Sequence, residues 1–362
     1  TPHNLLAHRI PGSDPRHSAP ESPPISALTS SRSDKAVNNS KIMATQLITL
    51  PAVERLSPTC IRILGGNPGK FTLQGTNTYL LGTGRSRLLI DTGEGRKAWI
   101  TSVRETLQRE NAIIDTALIT HWHHDHIGGI KDLLSTSPKT RVYKHTPEEG
   151  QLDIKHGQRF EVEGATLTAA YTPGHTKDHV VFVLEEEDAM FTADNVLGQG
   201  TAVFEDLVIY LQSLEEMKPL FKGRAYPGHG PVIENGPAKI AEYIAHRRQR
   251  EEQVIRTLKT GPEDVETNDP ALWAAWSAMD LVEVIYKDVP RTLYPAACSG
   301  VLQILGKLEG EGRVAHEGEK WRMIADSRET YTCQENGTVL ASQPTTYDAV
   351  LLLGTGFAVK DN

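Results

Sequence analysis

Four short segments of this sequence set histidine or aspartate in a similar local context. Thr120-His121-Trp122-His123-His124-Asp125-His126 follows directly on the apolar run Ala117–Ile119, and Pro173-Gly174-His175, Ala193-Asp194-Asn195 and Pro227-Gly228-His229-Gly230 come later. Neutral imidazole and carboxylate are the ligand types suited to Zn²⁺ and related divalent ions. A loop leaving the end of a strand can turn several such side chains inward together. Glycine beside the two later histidines lets backbone approach a crowded site or take a positive φ. Any one of these histidines, alone, reads best as an ordinary hydrogen-bonded residue. Four segments with one shared grammar point instead to a metal site. Cysteine has no part in it: Cys60, Cys298 and Cys333 are far apart and odd in number, which argues against a disulfide framework and against a thiolate site. A reducing compartment fits, and a cytoplasmic location is expected.

The elements that must position these residues alternate between β-rich and helical runs. Thr78–Gly82 and Arg87–Asp91, joined by the Gly-rich turn Gly82–Ser86, predict a hairpin. Ile100, Val103 and Leu107 at helical spacing predict a helix over Lys97–Glu110, and Ala117–Ile119 a buried strand. Further strands are expected at Arg141–Tyr143, Ala165–Tyr171, His179–Leu184 and Ala189–Thr192. Helices follow at Asp206–Leu220 and, after Pro237, at Ala238–Thr260, where Ile240, Tyr243, Ile244 and Val254 form an apolar stripe on a charged rod. Mixed strands followed by helices suggest a layered α/β sandwich with a helical end. Beyond Thr260, Leu281, Val284 and Ile285, then Val301, Leu302, Leu305 and Leu308, then Arg313-Val314 and Trp321-Arg322 suggest a helix-helix-hairpin unit like a winged helix.

Composition bounds the function classes. The 362 residues exceed the usual single-domain size, and no apolar run approaches the length needed to cross a bilayer. A membrane role is therefore not expected. The formal net charge of −8 opposes the phosphate attraction that dominates nucleic-acid affinity. Nucleic acid is disfavoured as a partner. Residues 1–42 are Ser- and Pro-rich with no periodicity, and 326–362 carry Gly and Thr punctuation with one short apolar run, so both ends are expected to be disordered. One reading starts the native chain at Met43. Between the ends, the expected division is 43–245 for the layered domain and 246–325 for the helical one.

The run His121–His126, an HxHxDH pattern, together with His175, Asp194 and His229, resembles the metallo-β-lactamase superfamily. Asp91-Thr92-Gly93 matches that superfamily's early motif. The resemblance implies an αββα sandwich, followed here by the small winged-helix-like domain. By position it further implies that His121, His123 and His175 hold one ion, that Asp125, His126 and His229 hold a second, and that Asp194 bridges them. Two Zn²⁺ ions per chain are expected, with Mn²⁺ as the alternative. Asp91 would orient a ligand imidazole from behind. Alternation along the chain is expected to turn His124 away, Trp122 is expected to pack, and His179 either touches substrate or is simply hydrogen-bonded. A metal pair makes a hydroxide available near neutrality, since even one zinc can bring the pKa of water to about 7. The reaction class is hydrolysis, Asp125 would orient the nucleophile and pass its proton, and no plausible GxSxG elbow offers a serine route.

For the substrate, Arg62–Gly69, Leu73–Leu80 and Val203–Leu207 resemble the glyoxalase-II-like branch containing β-lactamase-like protein 2, an endoribonuclease. Phe191–Gly200 is similar to the fungal atrochrysone carboxyl acyl-carrier-protein thioesterases, including Ala193 where much of the superfamily has Gly. That likeness implies a thioesterase releasing an aromatic polyketide acid from the acyl carrier protein of a non-reducing polyketide synthase. A thiol leaving group of pKa about 8.5 needs no dedicated acid. Arg247, Arg248 and Arg250 could dock an acidic carrier or form an ordinary solvated helix face. Single-strand-specific RNA cleavage is the alternative, and DNA binding by the C-terminal unit is the weakest of the three readings.

Overall fold

The computed structural model describes residues 47–260 and 273–325. The expected disordered ends, 1–42 and 326–362, lie outside the described residues, as does Cys333. Strands β1 (Val53–Arg55), β2 (Cys60–Leu64), β3 (Asn77–Leu81), β4 (Ser86–Ile90), β5 (Ile113–Ile119), β6 (Arg141–Lys144) and β7 (Leu152–Asp153) form a seven-stranded sheet in chain order. Strands β8 (Arg159–Val162), β9 (Ala165–Tyr171), β10 (Val180–Leu184), β11 (Ala189–Ala193) and β12 (Ala225–Pro227) form a five-stranded sheet in reverse order.

The apolar runs explain why these sheets are sandwiched. Successive strand residues point to opposite faces, so a strand without polar alternation must be covered on both. Tyr79 and Leu81 of β3 join the core between the sheets with Phe182, Phe191 and Tyr226, while Leu80 turns outward to Trp99, Ile100 and Val103. These last belong to helix α1 (Lys97–Arg109), which starts and ends within one residue of its expected bounds. Two further helices, α2 (His124–Ile127) and α3 (Ile130–Thr136), are too short to show periodicity in the sequence. On the second sheet, Val181 and Met190 face Tyr210 and Leu214 of α4 (Leu207–Met217) and Ile240 and Tyr243 of α5 (Gly236–Leu258). The layers are thus helix, sheet, sheet, helix.

Local chemistry sets the helix ends. Asp206 caps α4 by accepting from the Ile209 N–H, and Asn235 caps α5 by accepting from Ala238. Pro237, expected to precede the second of these helices, lies inside its first turn, where its missing N–H costs no intrahelical bond. Helix α5 continues unbroken through Ala245 and His246. Its far end, at Val254 and Leu258, packs on a C-terminal lobe made of α6 (Ala278–Ile285), α7 (Tyr294–Gly310) and a small sheet of β13 (Trp276–Ser277), β14 (Val314–Glu317) and β15 (Lys320–Met323). Leu281, Val301, Leu305 and Leu308 are buried there as their spacing suggests. Val284 and Leu302, from the same apolar pattern, instead face solvent at 47% and 46% exposure, because α6 and α7 each bury only one side. Among the described residues, no helix is long and apolar enough to cross a membrane.

Trp99 is fully buried and its Nε1–H donates to Thr78 Oγ1 at 2.9 Å, which ties α1 to the strand preceding the site. Trp99→Ala should therefore cost about 3–5 kcal/mol in urea unfolding. A loss under about 1 kcal/mol would show that α1 does not support the sheet through this residue.

Candidate metal centre

The sequence-predicted site residues lie just beyond strand ends, either in the connecting loops or in the short helix α2 that follows β5. Thr120 and His121 follow β5, His175 lies between β9 and β10, Asp194 follows β11 and His229 follows β12. After His123 the chain enters α2, and this helical turn, rather than strand alternation, leaves His124 exposed while burying His126. Gly174 has φ +128°, and a Cβ there would lie 2.3 Å from the Tyr210 Cα, so α4 packs directly on the loop carrying His175. Asp91 (φ 58°) and Ala193 (φ 44°) adopt left-handed backbone at the ends of β4 and β11. That conformation costs an L residue about 1–2 kcal/mol.

The geometry brings all seven residues together. His121 Nε2 and His175 Nε2 lie 3.0 and 3.1 Å from His123 Nδ1. Asp125 Oδ2 is 3.3 Å from both His126 Nε2 and His229 Nε2. Asp194 faces both groups, with Oδ1 3.5 Å from His126 and Oδ2 3.6 Å from His175 and 3.3 Å from His229. Potential ligand atoms of His121, His123, His175 and Asp194 lie within 4.8 Å of one another, as do those of Asp125, His126 and His229.

The protons on the outer ring nitrogens decide what these groups can bind. His175 Nδ1–H donates to the Val203 carbonyl at 2.8 Å and His126 Nδ1–H to Asp91 Oδ2 at 2.7 Å. The Thr120 hydroxyl donates to Asp91 and accepts from His121 Nδ1–H. The Nε2 atoms of all three rings therefore point inward, each offering a lone pair there once that nitrogen is unprotonated. His126 Nε2 and Asp194 Oδ1 are buried without a hydrogen-bond partner. Buried polar atoms are rarely left so, and converging imidazole lone pairs with carboxylates are satisfied by a cation.

The superfamily sequence profile for metallo-β-lactamases matches residues 71–229, and the profile for the β-lactamase associated winged helix domain matches 277–321. The chain is 46% identical over 273 residues to lactamase-like protein adaB of Aspergillus niger, covering 75% of this chain and 86% of that one. The chain belongs to the metallo-β-lactamase superfamily. It is also 46% identical over 275 residues to the atrochrysone carboxyl ACP thioesterase of Aspergillus chevalieri, covering 75% and 88% of the two chains. To the β-lactamase-like protein 2 homologue of Drosophila melanogaster it is 46% identical over 281 residues, covering 73% and 92%. A β-lactamase domain protein from Burkholderia ambifaria shares the fold at TM-score 0.63 and 18% identity, over 76% of this chain and 95% of that one.

Electrostatics at the cluster follow the geometry. Burial would lower the pKa of His126, but Asp194, Asp91 and Asp125 outweigh it and hold the imidazole well above its usual value. Burial also opposes protonation of His229, yet Asp194 and Asp125 lift it to about 9. Burial, then His126, keep His121 well below the usual range. Burial, then His175, do the same for His179.

His179 is fully buried, with Nε2 accepting from the Asp194 N–H at 3.3 Å and Nδ1 paired with Thr172 Oγ1 at 3.2 Å. Of its two expected roles, the hydrogen-bonded one fits this position. Trp122 was expected to pack, but it is 49% exposed with its ring edge-on to His123 at 4.5 Å. Leaving the strand, it has no sheet face to bury against. Thr76 escaped the sequence reading: it donates to Asp125 Oδ2 at 2.8 Å and accepts from Asn67 Nδ2 at 3.0 Å. Its signal was the polar run Gln74-Gly75-Thr76-Asn77 just ahead of a buried strand.

The cluster floors a cavity of about 310 Å³ whose apolar wall includes Phe71, Leu73, Leu197 and Val203. A larger cavity, about 520 Å³ between α4, α5 and α7, is lined by Glu251, Lys307 and Arg313, whose charges pair with one another. No metal-ligand cluster opens into it among the described residues.

A Cβ on Gly228 would sit 2.2 Å from Asp194 Oδ1 and 3.1 Å from His126 Cε1. Gly228→Ala should displace the Asp194 carboxylate and lower divalent-ion affinity by about 10-fold or more, read by competition with a chromogenic chelator. Unchanged affinity would show that Asp194 need not stand where the fold puts it.

Proposed function

We propose that this chain is a metal-dependent thioesterase that frees an aromatic polyketide acid from the acyl carrier protein of a polyketide synthase. Two Zn²⁺ ions per chain fit the two ligand groups, with His121, His123 and His175 in one, Asp125, His126 and His229 in the other, and Asp194 shared. The carrying observation is the character of the cavity. Its wall above the ligands is largely apolar, and Lys70 is the one Lys or Arg among its lining residues. An uncharged acyl group suits such a wall better than a phosphodiester strand, which needs a basic track. The similarity to the Aspergillus chevalieri thioesterase supports the same reading.

Divalent ions bound there supply Lewis acidity that activates water and polarises a carbonyl. The chain's residues do the rest. Asp125 lines the cavity, and Thr76 holds its Oδ2 in place, so the carboxylate is positioned to accept the proton of attacking water. The apolar wall excludes competing solvent around the acyl group. The thiol departs as thiolate without a dedicated acid, since its pKa is only about 8.5.

Metal loading should be proton-coupled. In the metal-free protein His229, at about 9, and His126, held well above its usual value, are both protonated at neutral pH. Each must lose that proton to bind an ion. Zn²⁺ binding near pH 7 should therefore release protons, and apparent affinity should rise as pH climbs towards 9. Calorimetry in buffers of different ionisation heat measures this, and binding without proton release would count against the ligand assignment.

The substrate reading is tested by direct competition of activities. The enzyme should hydrolyse a carrier-bound aromatic polyketide thioester at least ~100-fold faster than it cleaves single-stranded RNA, a gap of about 2.7 kcal/mol in activation free energy. Its 46% identity to the Drosophila β-lactamase-like protein 2 homologue keeps the ribonuclease as the rival. Faster RNA cleavage would give it the assignment.

A further inference from the structure

The cavity wall at 197–206 has neither helix nor strand, yet it is anchored along its length. Tyr243 Oη donates to Gly200 O at 2.9 Å and accepts from Leu197 N–H at 3.1 Å. Arg247, one turn along α5, donates through Nη2 to Ala202 O at 2.7 Å. Gln303, from α7 in the C-terminal lobe, donates to Glu205 O at 2.9 Å. Between the last two anchors lies the Val203 carbonyl that accepts from His175 Nδ1–H. Arg247 and His175 thus grip the carbonyls of consecutive residues.

Packing alone does not hold this wall. The metal cavity lies on one side, and a second cavity of about 200 Å³ lies against the same residues, lined by Arg247, Tyr286, Ala297 and Gly300. A segment with open space against it keeps its place through directional bonds. Arg247 is suited to supply one: its guanidinium lies 4.8 Å from the Phe204 ring centroid, and Phe204 stacks on Tyr210 at 5.2 Å. A planar cation on an aromatic face loses little freedom when it donates. The neighbouring arginine differs, since Arg248 is exposed and pairs with Glu215 at 2.9 Å.

We infer that Arg247 is a positioning residue for His175: by fixing the Ala202 carbonyl it sets the Val203 carbonyl, which holds the imidazole's tautomer and angle. Through the same segment, Gln303 couples the C-terminal lobe to the metal cavity. Arg247 is accordingly committed inward rather than offered to a carrier protein. The inference rests on the reading of His175 as a metal ligand.

The test titrates metal-free protein with Co²⁺ against a competing chelator and records the visible absorption of the bound ion. Arg247→Met keeps the stem over Phe204 and removes the donors. It should lower affinity for one ion about 10-fold or more and alter the Co²⁺ spectrum. Arg247→Lys, which restores one donor, should recover part of both. Arg248→Met should match the parent. If Arg247→Met is insoluble, Phe204→Leu weakens the same anchor from the loop side and carries the same expectation. His175→Ala separates the two layers of the argument. Impaired binding in His175→Ala with parental affinity and spectrum in Arg247→Met would overturn the positioning role. Parental binding in His175→Ala would overturn the ligand reading, and the inference with it.

Discussion

Asp194 is a buried carboxylate with three imidazoles at 3.3 to 3.6 Å, and His121, His123 and Asp125 crowd the same small volume. Desolvating so many charges and lone pairs opposes folding by several kcal/mol per ion unless something positive compensates. Protons do so in part: the neighbouring carboxylates outweigh burial and raise the proton affinity of both His126 and His229. A divalent ion bound among them would do so better, because one cation can satisfy several lone pairs at once. The rest of the molecule can be read as the apparatus that keeps these groups converged while they are uncompensated.

That apparatus is a second ring of hydrogen bonds, and it is drawn from both sheets. Asp91 of the first sheet holds both Thr120 and His126. Asn77 and Tyr79, in the same sheet, donate to the Pro227 carbonyl and so fix the strap that presents His229. His179 steadies the Asp194 backbone from the second sheet. Strain is tolerated where the ring is tightest: Asp91 and Ala193 keep left-handed backbone directly beside the cluster. The ends of β5, β9, β11 and β12 supply direction, and the side-chain bonds fix the final placement.

The ligand types were legible because they are side chains at strand ends, and a strand end can be read from an apolar run followed by glycine or proline. His175 and His229 announce themselves in that way, and His121 by the apolar run Ala117–Ile119 just ahead of it. The Val203 carbonyl could not be read, since a backbone acceptor carries no residue identity and becomes specific only when His175 is folded against it. Thr76 acts on Asp125 across 49 positions of sequence, a distance over which no local pattern operates. The layered fold followed from strand runs such as Thr78–Gly82 succeeded by periodic helical ones, whereas α2 and α3 span 4 and 7 residues and are too short for a 3.6-residue period to show. Arg247 was visible only as charge. Whether a helical arginine faces solvent or an aromatic stack depends on which partner covers its turn, and here Phe204 arrives from a loop 43 residues earlier.

The sharing of α5 by both lobes carries a physical consequence for how the site can change. Its first turns pack on the second sheet through Ile240 and Tyr243, and its last turns pack on α6 and α7 through Val254 and Leu258. The 23 residues of this one helix thus contact both cores. Tyr243 and Arg247 lie near the middle of that helix, and both bond to the unstructured wall of the metal cavity. The same helix that packs on the C-terminal lobe therefore also holds the cavity wall in place. The lobe adds no ligand to the cluster among the described residues, yet it shares the helix that holds the cavity's shape.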